Sequence, residues 1–395
     1  MKDWKEYKVS DIIEEIAMGP FGSNIKRENY VDFGVPYLNG SNLSSYKLNE
    51  DSFYYVTEEK AKSLARCVAK RGDIIVTHRG TIGQISYIPY NSKYDKYLTG
   101  NSQFRISVNN SLIRPDFLVY YFHTRIGQHK LLSNASQVGV PALARPTSTF
   151  KEITIPVPSM ETQCRIMDII LSIDDKIECN RRINENLEQQ AQALFKSWFV
   201  DFEPFKDLPF VESELGMIPQ GWKVYKLSDF LPVITGKKDA NVANGGDYPF
   251  FSCSQTQSWT NGYSFDGSAI LVAGNGDFNV KMYTGKFEAY QRTYVLIPYE
   301  SLYTAWLYYA VKYHLDFITS AARGSVIKFI TKGNLTDFMF PAPIQLKETD
   351  IIKQFDLIRK NIALNDEESR RLAELRDTLL PRLMSGEIKV EDVTF

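Results

Sequence analysis

The chain has 395 residues, 44% of them apolar, which is enough for two or three domains with real cores. Its net charge of −1 argues against indiscriminate polyanion binding, and no apolar run reaches the roughly 18 residues needed to span a bilayer. The first residues are charged with no apolar stretch, and the four cysteines (Cys67, Cys164, Cys179, Cys253) show no paired spacing, so the expectation is a cytoplasmic chain with reduced thiols and no secretory signal.

In chain order, the first feature is Trp4-Lys5-Glu6-Tyr7-Lys8-Val9-Ser10-Asp11-Ile12, which returns as Trp222-Lys223-Val224-Tyr225-Lys226-Leu227-Ser228-Asp229-Phe230. The exits match as well: Ile155-Pro156-Val157-Pro158 recurs as Phe340-Pro341-Ala342-Pro343. A matching entrance and exit around two segments of similar length indicates an internal duplication. Between them, Asp73 to Thr77, Phe104 to Val108, Ala269 to Ala273 and Thr293 to Ile297 read as strands, several bounded by glycine. Segments 115–127 and 302–317 have helical spacing. The fold class is α/β or α+β with mixed, curved sheets.

Two long helices follow the two exits. Spacing by three and four gives Ile166, Ile170, Ile173, Ile177, Asn180, Asn184, Leu187, Ala191, Leu194 and Trp198 in one. It gives Ile351, Phe355, Ile358, Ile362, Asn365, Ser369, Leu372, Arg376, Leu379 and Leu383 in the other. Such seams point to a coiled coil; the plainer alternative is two amphipathic helices, each packed on its own domain. Both seams are polar at the centre. An antiparallel pairing sets Asn184 level with Asn365 and Asn180 with Ser369, and shifted registers would strand a buried amide. The predicted organisation is a pseudo-two-fold tandem: domain 1–158, helix 159–200, linker and second domain 201–346, helix 347–386 and tail 387–395.

Catalytic signatures are absent from the sequence. There is no Asn-Pro-Pro-Tyr type motif of an amino-methyltransferase and no Gly-Lys-Ser/Thr phosphate loop. Gly274-Asn275-Gly276-Asp277 reads as a hairpin turn, and four scattered histidines form no metal pattern. Charge is unevenly spread: residues 1–159 carry 20 Lys/Arg against 15 Asp/Glu, and residues 215–346 carry 11 against 9. Mildly basic globular halves with polar loops suit local DNA contacts, because Arg, Asn and Gln can read base edges while Lys, Ser and Thr suit phosphates. In the first half the candidates are Ser23, Asn24, Lys26, Arg27, Asn39, Ser41, Asn42, His78, Arg79, Thr81, Gln103, Arg145 and Thr147. In the second they are Lys237, Lys238, Ser254, Gln255, Asn275, Asn279, Gln291, Arg292, Arg323 and Lys328.

With these pieces in place the chain resembles the specificity subunit of type I restriction–modification enzymes, over essentially its whole length. The carriers are Gly139-Val140-Pro141-Ala142-Leu143 leading to the first exit, and Leu194-Phe195-Lys196-Ser197-Trp198-Phe199-Val200-Asp201-Phe202 at the end of the first helix. Leu215-Gly216-Met217-Ile218-Pro219-Gln220-Gly221-Trp222 at re-entry and Leu380-Pro381-Arg382-Leu383-Met384-Ser385-Gly386-Glu387-Ile388 at the close complete the set. The resemblance implies a non-catalytic subunit whose two target recognition domains each read one part of a bipartite double-stranded DNA site. It also implies two methyltransferase subunits docked on the helices, with restriction–translocase subunits joining. S-adenosylmethionine, ATP and Mg would sit on those partners, and no membrane is involved. The second half departs from the pattern: where the first has Gly-Val-Pro it reads Arg323-Gly324-Ser325-Val326-Ile327. A recognition subunit of another multisubunit restriction–methylation system, a self-contained adenine methyltransferase and a coiled-coil scaffold are the alternatives.

Overall fold

A computed structural model describes residues 4–136, 139–320, 322 and 328–393. The chain divides into two units: Met1–Ile177 with Arg370–Phe395, and Glu178–Ser369. Each unit therefore owns a domain and a stretch of both long helices.

In the first unit the entrance strand Lys5–Lys8 pairs antiparallel with the exit strand Thr154–Val157, Tyr7 lying opposite Ile155. A four-stranded antiparallel sheet runs in the order Ile13–Met18, Gln103–Val108, Ile74–Thr77, Ile85–Tyr87. Ile74 to Thr77 is buried at every position, so the strand is a continuous run of β-branched residues rather than an alternating one. The helix Pro115–His123 opens on Pro115, where a missing N–H costs nothing, and buries Phe117 to Phe122. It stops at Thr124, whose hydroxyl caps a second helix, Arg125–Leu132; the single helical stretch expected over 115–127 is thus two helices. A five-stranded sheet adds Tyr30–Val31, Tyr54–Val56, Val35–Tyr37, Lys96–Leu98 and Val68–Lys70 in that order.

The second unit repeats the plan. Trp222–Lys226 pairs with Met339–Pro343, Tyr225 opposite Phe340. Its main sheet begins Val233–Thr235, Thr293–Leu296, Phe265–Ala273, Val280–Ala289, the same order as in the first unit, and ends with Tyr248–Phe251 and Ser258–Thr260. Phe265–Ala273 and Val280–Ala289 form a hairpin with Val272 opposite Val280, so Gly274 to Asp277 is its turn. The helix Thr304–Tyr313 is buried along nearly its whole length around Trp306.

The central helix is Met160–Phe199 and the C-terminal helix is Asp350–Met384. Within each unit the two run antiparallel. Asp174 bonds Arg376 in the first; Asn180 bonds Ser369, and Asn184 bonds Asn365, in the second. The apolar ends of the seam do double duty. Ile166 and Ile170 share the first unit's core with Leu380 and Leu383, and Ala191 and Phe195 share the second unit's core with Ile351 and Phe355. Both pictures of the helices therefore hold in different places: coiled-coil pairing at the polar centre, domain packing at the ends. The C-terminal helix closes on Gly386 at φ +70°, with Gly386 N–H donating to the Leu383 carbonyl and Glu387 N–H to that of Arg382.

Candidate nucleic-acid interface

Four backbone hydrogen bonds gather the candidate loops of the first unit. Gly19 N–H donates to the Gln103 carbonyl, His78 N–H to Ser102, Gly80 N–H to Pro141 and Leu143 N–H to His78, each at 2.8 Å. The second unit makes the same four at the matching places. Gly236 N–H donates to Thr293 at 2.8 Å, Gly274 to Arg292 at 2.8 Å, Gly276 to Lys328 at 3.2 Å and Ile330 to Gly274 at 2.9 Å. Two glycine pairs explain why the sequence permits this. Gly80 and Gly276 sit at φ +85° and +71°, the left-handed region. A Cβ on Gly19 would fall 2.0 Å from the Gly100 carbonyl oxygen, and one on Gly236 would fall 2.1 Å from that of Tyr290. Peptide groups thus build one frame twice, and side chains are left to differ.

On the first frame, Arg79, Thr81 and Ser41 are exposed, while Asn39 and His78 are half-buried. Arg79 is pinned through its backbone against Ala142, and its guanidinium has no hydrogen bond or ion pair among the described residues. Thr81 donates to Gln84 Oε1 at 2.6 Å, and Gln84 Nε2 donates to the Gly40 carbonyl at 3.1 Å, which ties the two loops together. The Tyr37 hydroxyl accepts from Asn101 N–H at 3.2 Å. Burial lowers the His78 imidazole pKa and so favours the neutral ring, an effect that the Asn101 backbone partly offsets. Ser23 and Asn24 lie on a 3₁₀ turn beside Asn101, and exposed Lys26 and Arg27 follow, Lys26 3.8 Å from Glu28. Arg145 is exposed at φ +44°, one of two described non-glycine residues with left-handed backbone, and Thr147 follows on the helix Pro146–Glu152.

The second frame carries a different set. Lys237 and Lys238 are exposed, Lys237 with its ammonium 5.1 Å over the Phe265 ring. Gln291 and Arg292 are exposed beside them, Gln291 Nε2 donating to Asp239 at 3.4 Å. Gln255 reaches Asp277 at 3.3 Å, Ser254 caps the Thr256 N–H at 3.1 Å, and Asn275 lies in the hairpin turn, which Lys328 flanks. Lys281, absent from the expected set, donates to the Ser252 carbonyl at 3.2 Å and also to that of Ser254; burial lowers its pKa.

Three expected readers are corrected by their burial. Asn42 accepts from Asn39 N–H and donates to the carbonyls of Asn49 and Ser52, both at 3.0 Å. Gln103 accepts from Gly100 N–H at 2.8 Å, and Asn279 donates to the carbonyls of Cys253 and Asp277, both at 2.8 Å. These amides hold the loops' own backbone, because the donors and acceptors that match a base edge also match a peptide. Arg323 lies outside the described residues. What residue type could not disclose is the supporting role of Tyr37, Gln84 and Lys281, which only the assembled loops make visible.

At the polar centre of the seam, Asn365 Nδ2 donates to Asn184 Oδ1 at 2.8 Å, and Asn184 Nδ2 donates to Asp366 at 2.7 Å. Asn180, fully buried, donates to Glu368 at 2.8 Å and Ser369 at 3.2 Å. Among the described residues there is no helix long and apolar enough to cross a membrane and no cluster suited to a metal ion.

Comparison with known proteins gives a consistent picture. The profile of the type I restriction modification DNA specificity domain matches residues 1–189 and 219–373. The EcoDI type I restriction enzyme specificity subunit of Escherichia coli is 39% identical over 181 residues, 45% of this chain and 40% of that protein. The MjaIX specificity subunit of Methanocaldococcus jannaschii is 27% identical over an alignment covering 99% of this chain and 95% of that one. A crystal structure of a type I restriction–modification S subunit from M. genitalium superposes with a TM-score of 0.59 at 15% identity, covering 96% of both chains, and so shares the fold.

Proposed function

The chain belongs to the type I restriction–modification DNA specificity family, and from that membership we propose that it is the subunit that reads DNA sequence, each unit contacting one half of an asymmetric, bipartite site. The observation that carries this reading is the doubled loop frame: four matching backbone bonds, dressed with Arg79, Thr81 and Asn39 in one unit and with Lys238, Asn275 and Arg292 in the other. Readers with one scaffold and different side chains select different half-sites, since each base pair presents its own pattern in the major groove. In this reading the chain supplies recognition while two methyltransferase subunits, and translocase–nuclease subunits where present, supply adenine methylation or ATP-dependent cleavage. S-adenosylmethionine, ATP and Mg²⁺ are then bound by those partners.

The test is to assemble the chain with its methyltransferase subunit and map methylated adenines by single-molecule sequencing. Arg79→Ala should relax one position of one half-site, and Asn275→Ala one position of the other, each by about 1–3 kcal/mol of discrimination. A perfectly palindromic site, or a substitution that relaxes both halves together, would refute the proposal.

A further inference from the structure

Each unit is fastened to the long helices by a buried junction made of the same parts with the charges exchanged. In the first unit Asp174 of the central helix accepts from the Tyr120 hydroxyl and, at 2.7 Å, from Arg376 of the C-terminal helix. The Arg376 guanidinium lies 5.1 Å over the ring of Tyr46, which stacks on Tyr120 at 4.1 Å. In the second unit Glu188 of the central helix accepts from the Tyr309 hydroxyl at 2.9 Å, from Lys312 at 2.5 Å and from Arg359 of the C-terminal helix at 3.2 Å. Arg359 lies 4.8 Å over the ring of Tyr308. Asp174 and Arg376 keep 13% and 17% of their side-chain surface, Glu188 and Arg359 21% and 18%. Water cannot relieve a like-charged pair in either place.

The exchange becomes visible when the helices are aligned as repeats. Asp174 and Arg359 hold the same position, each eight residues past the first seam isoleucine of its helix, Ile166 and Ile351. The first domain thus finds an acid on the helix that follows it and needs a base from the facing helix. The second finds a base and needs an acid. The facing charges, Glu188 and Arg376, stand 22 and 25 residues past the same isoleucines, within one helical turn of equivalence.

We propose that this exchange makes the helix surface refuse its own kind: each repeat accepts the helix of the other repeat and rejects the same repeat of a second copy. Two central helices from two copies, paired antiparallel, would set Glu188 of one against Asp174 of the other beneath the Tyr120 hydroxyl. Two C-terminal helices would set Arg376 against Arg359 beside Lys312. Only unlike repeats bring opposite charges together, and the covalent tether then favours the unlike repeat of the same chain through its high effective concentration. The partner this surface fits is the complementary repeat of this sequence.

The full-length variant E188R/R376E reverses that preference. Each domain then finds the charge it needs on the like helix of a second copy, and the wrong one within its own chain. Light scattering with size-exclusion chromatography should give twice the single-chain mass, with a dimer fraction that rises with concentration, where the parent chain gives the single-chain mass. The fourfold variant D174R/E188R/R359E/R376E restores opposite charges between unlike repeats and should return to the single-chain mass. The proposal is overturned if E188R/R376E keeps the parent's mass and melting temperature. If E188R/R376E fails to fold, the fourfold variant decides: recovery of a folded single chain supports charge complementarity, and failure to recover overturns it.

Discussion

The two units differ least where peptide groups do the work and most where side chains do. Their loop frames use the same four backbone bonds and the same main-sheet order. Yet the first frame is braced by Gln84 and Tyr37, and the second by Asn279 and Lys281. The lesson is that a scaffold written in backbone hydrogen bonds tolerates almost any sequence that keeps its glycines. Residues free of the frame can then diverge, which is what a pair of unlike readers requires.

The hardest way to break the comparison is to put a side chain where both frames forbid one. Gly19→Ala and Gly236→Ala each drive a methyl group into a carbonyl oxygen. Each should cost its own unit about 3 kcal/mol of stability and abolish selection of one half-site while sparing the other. Hydrogen exchange resolved by unit, together with half-site binding, would measure this; equal damage to both units would show that the frames are not independent.

Acid should separate the units by a smaller amount. Burial pushes the Glu188 carboxyl up, but hydrogen bonds from Lys312, Gln192 and Tyr309 and the Lys312 charge outweigh it, so its pKa lies below the ordinary 4.5. Its stabilisation is complete above that value and is lost as pH falls through the folded pKa. Asp73 of the first unit goes the other way: burial raises its pKa above the ordinary 3.8 despite Ser107, the Lys70 backbone and Arg105, so protonation favours its folded state. Acidification into the carboxylate range should therefore weaken the second unit and relieve the first at these sites. Glu188→Gln should lower the second unit's stability by about 2 kcal/mol at neutral pH and flatten its acid response. A melting profile of the variant that keeps the parent's pH slope would contradict this.

The mildest change sharpens the role of the seam. Asn184→Leu with Asn365→Leu replaces a hydrogen-bonded pair with apolar contact and should raise stability by about 1 kcal/mol while loosening register. A loss of stability in calorimetry, with assembly unaffected, would mean that the amides contribute more than alignment.

Much of this architecture was legible because it is periodic. The seam residues, with their polar centre, follow from spacing alone, and the duplicated Trp-Lys entrances announced the repeat. That each entrance strand hydrogen-bonds its own exit, Tyr7 opposite Ile155 and Tyr225 opposite Phe340, has no local signal, because partners more than a hundred residues apart leave no trace in a short window. Arg376 reads as a flaw in an apolar seam until Asp174 and Tyr46 are seen around it. Asn42, Gln103 and Asn279 read as base contacts for the opposite reason: an amide looks the same in sequence whether it faces a groove or a peptide.

The pairing of entrance with exit has one more consequence. Antiparallel neighbours sit only about 5 Å apart, so everything between Tyr7 and Ile155, or between Tyr225 and Phe340, leaves and rejoins the chain at a single spot. Such a body is a cassette. A recombination event that cuts at the two flanking strands can replace one reader wholesale and leave the helices and the other reader as they were, so a new DNA target can arise in one genetic step.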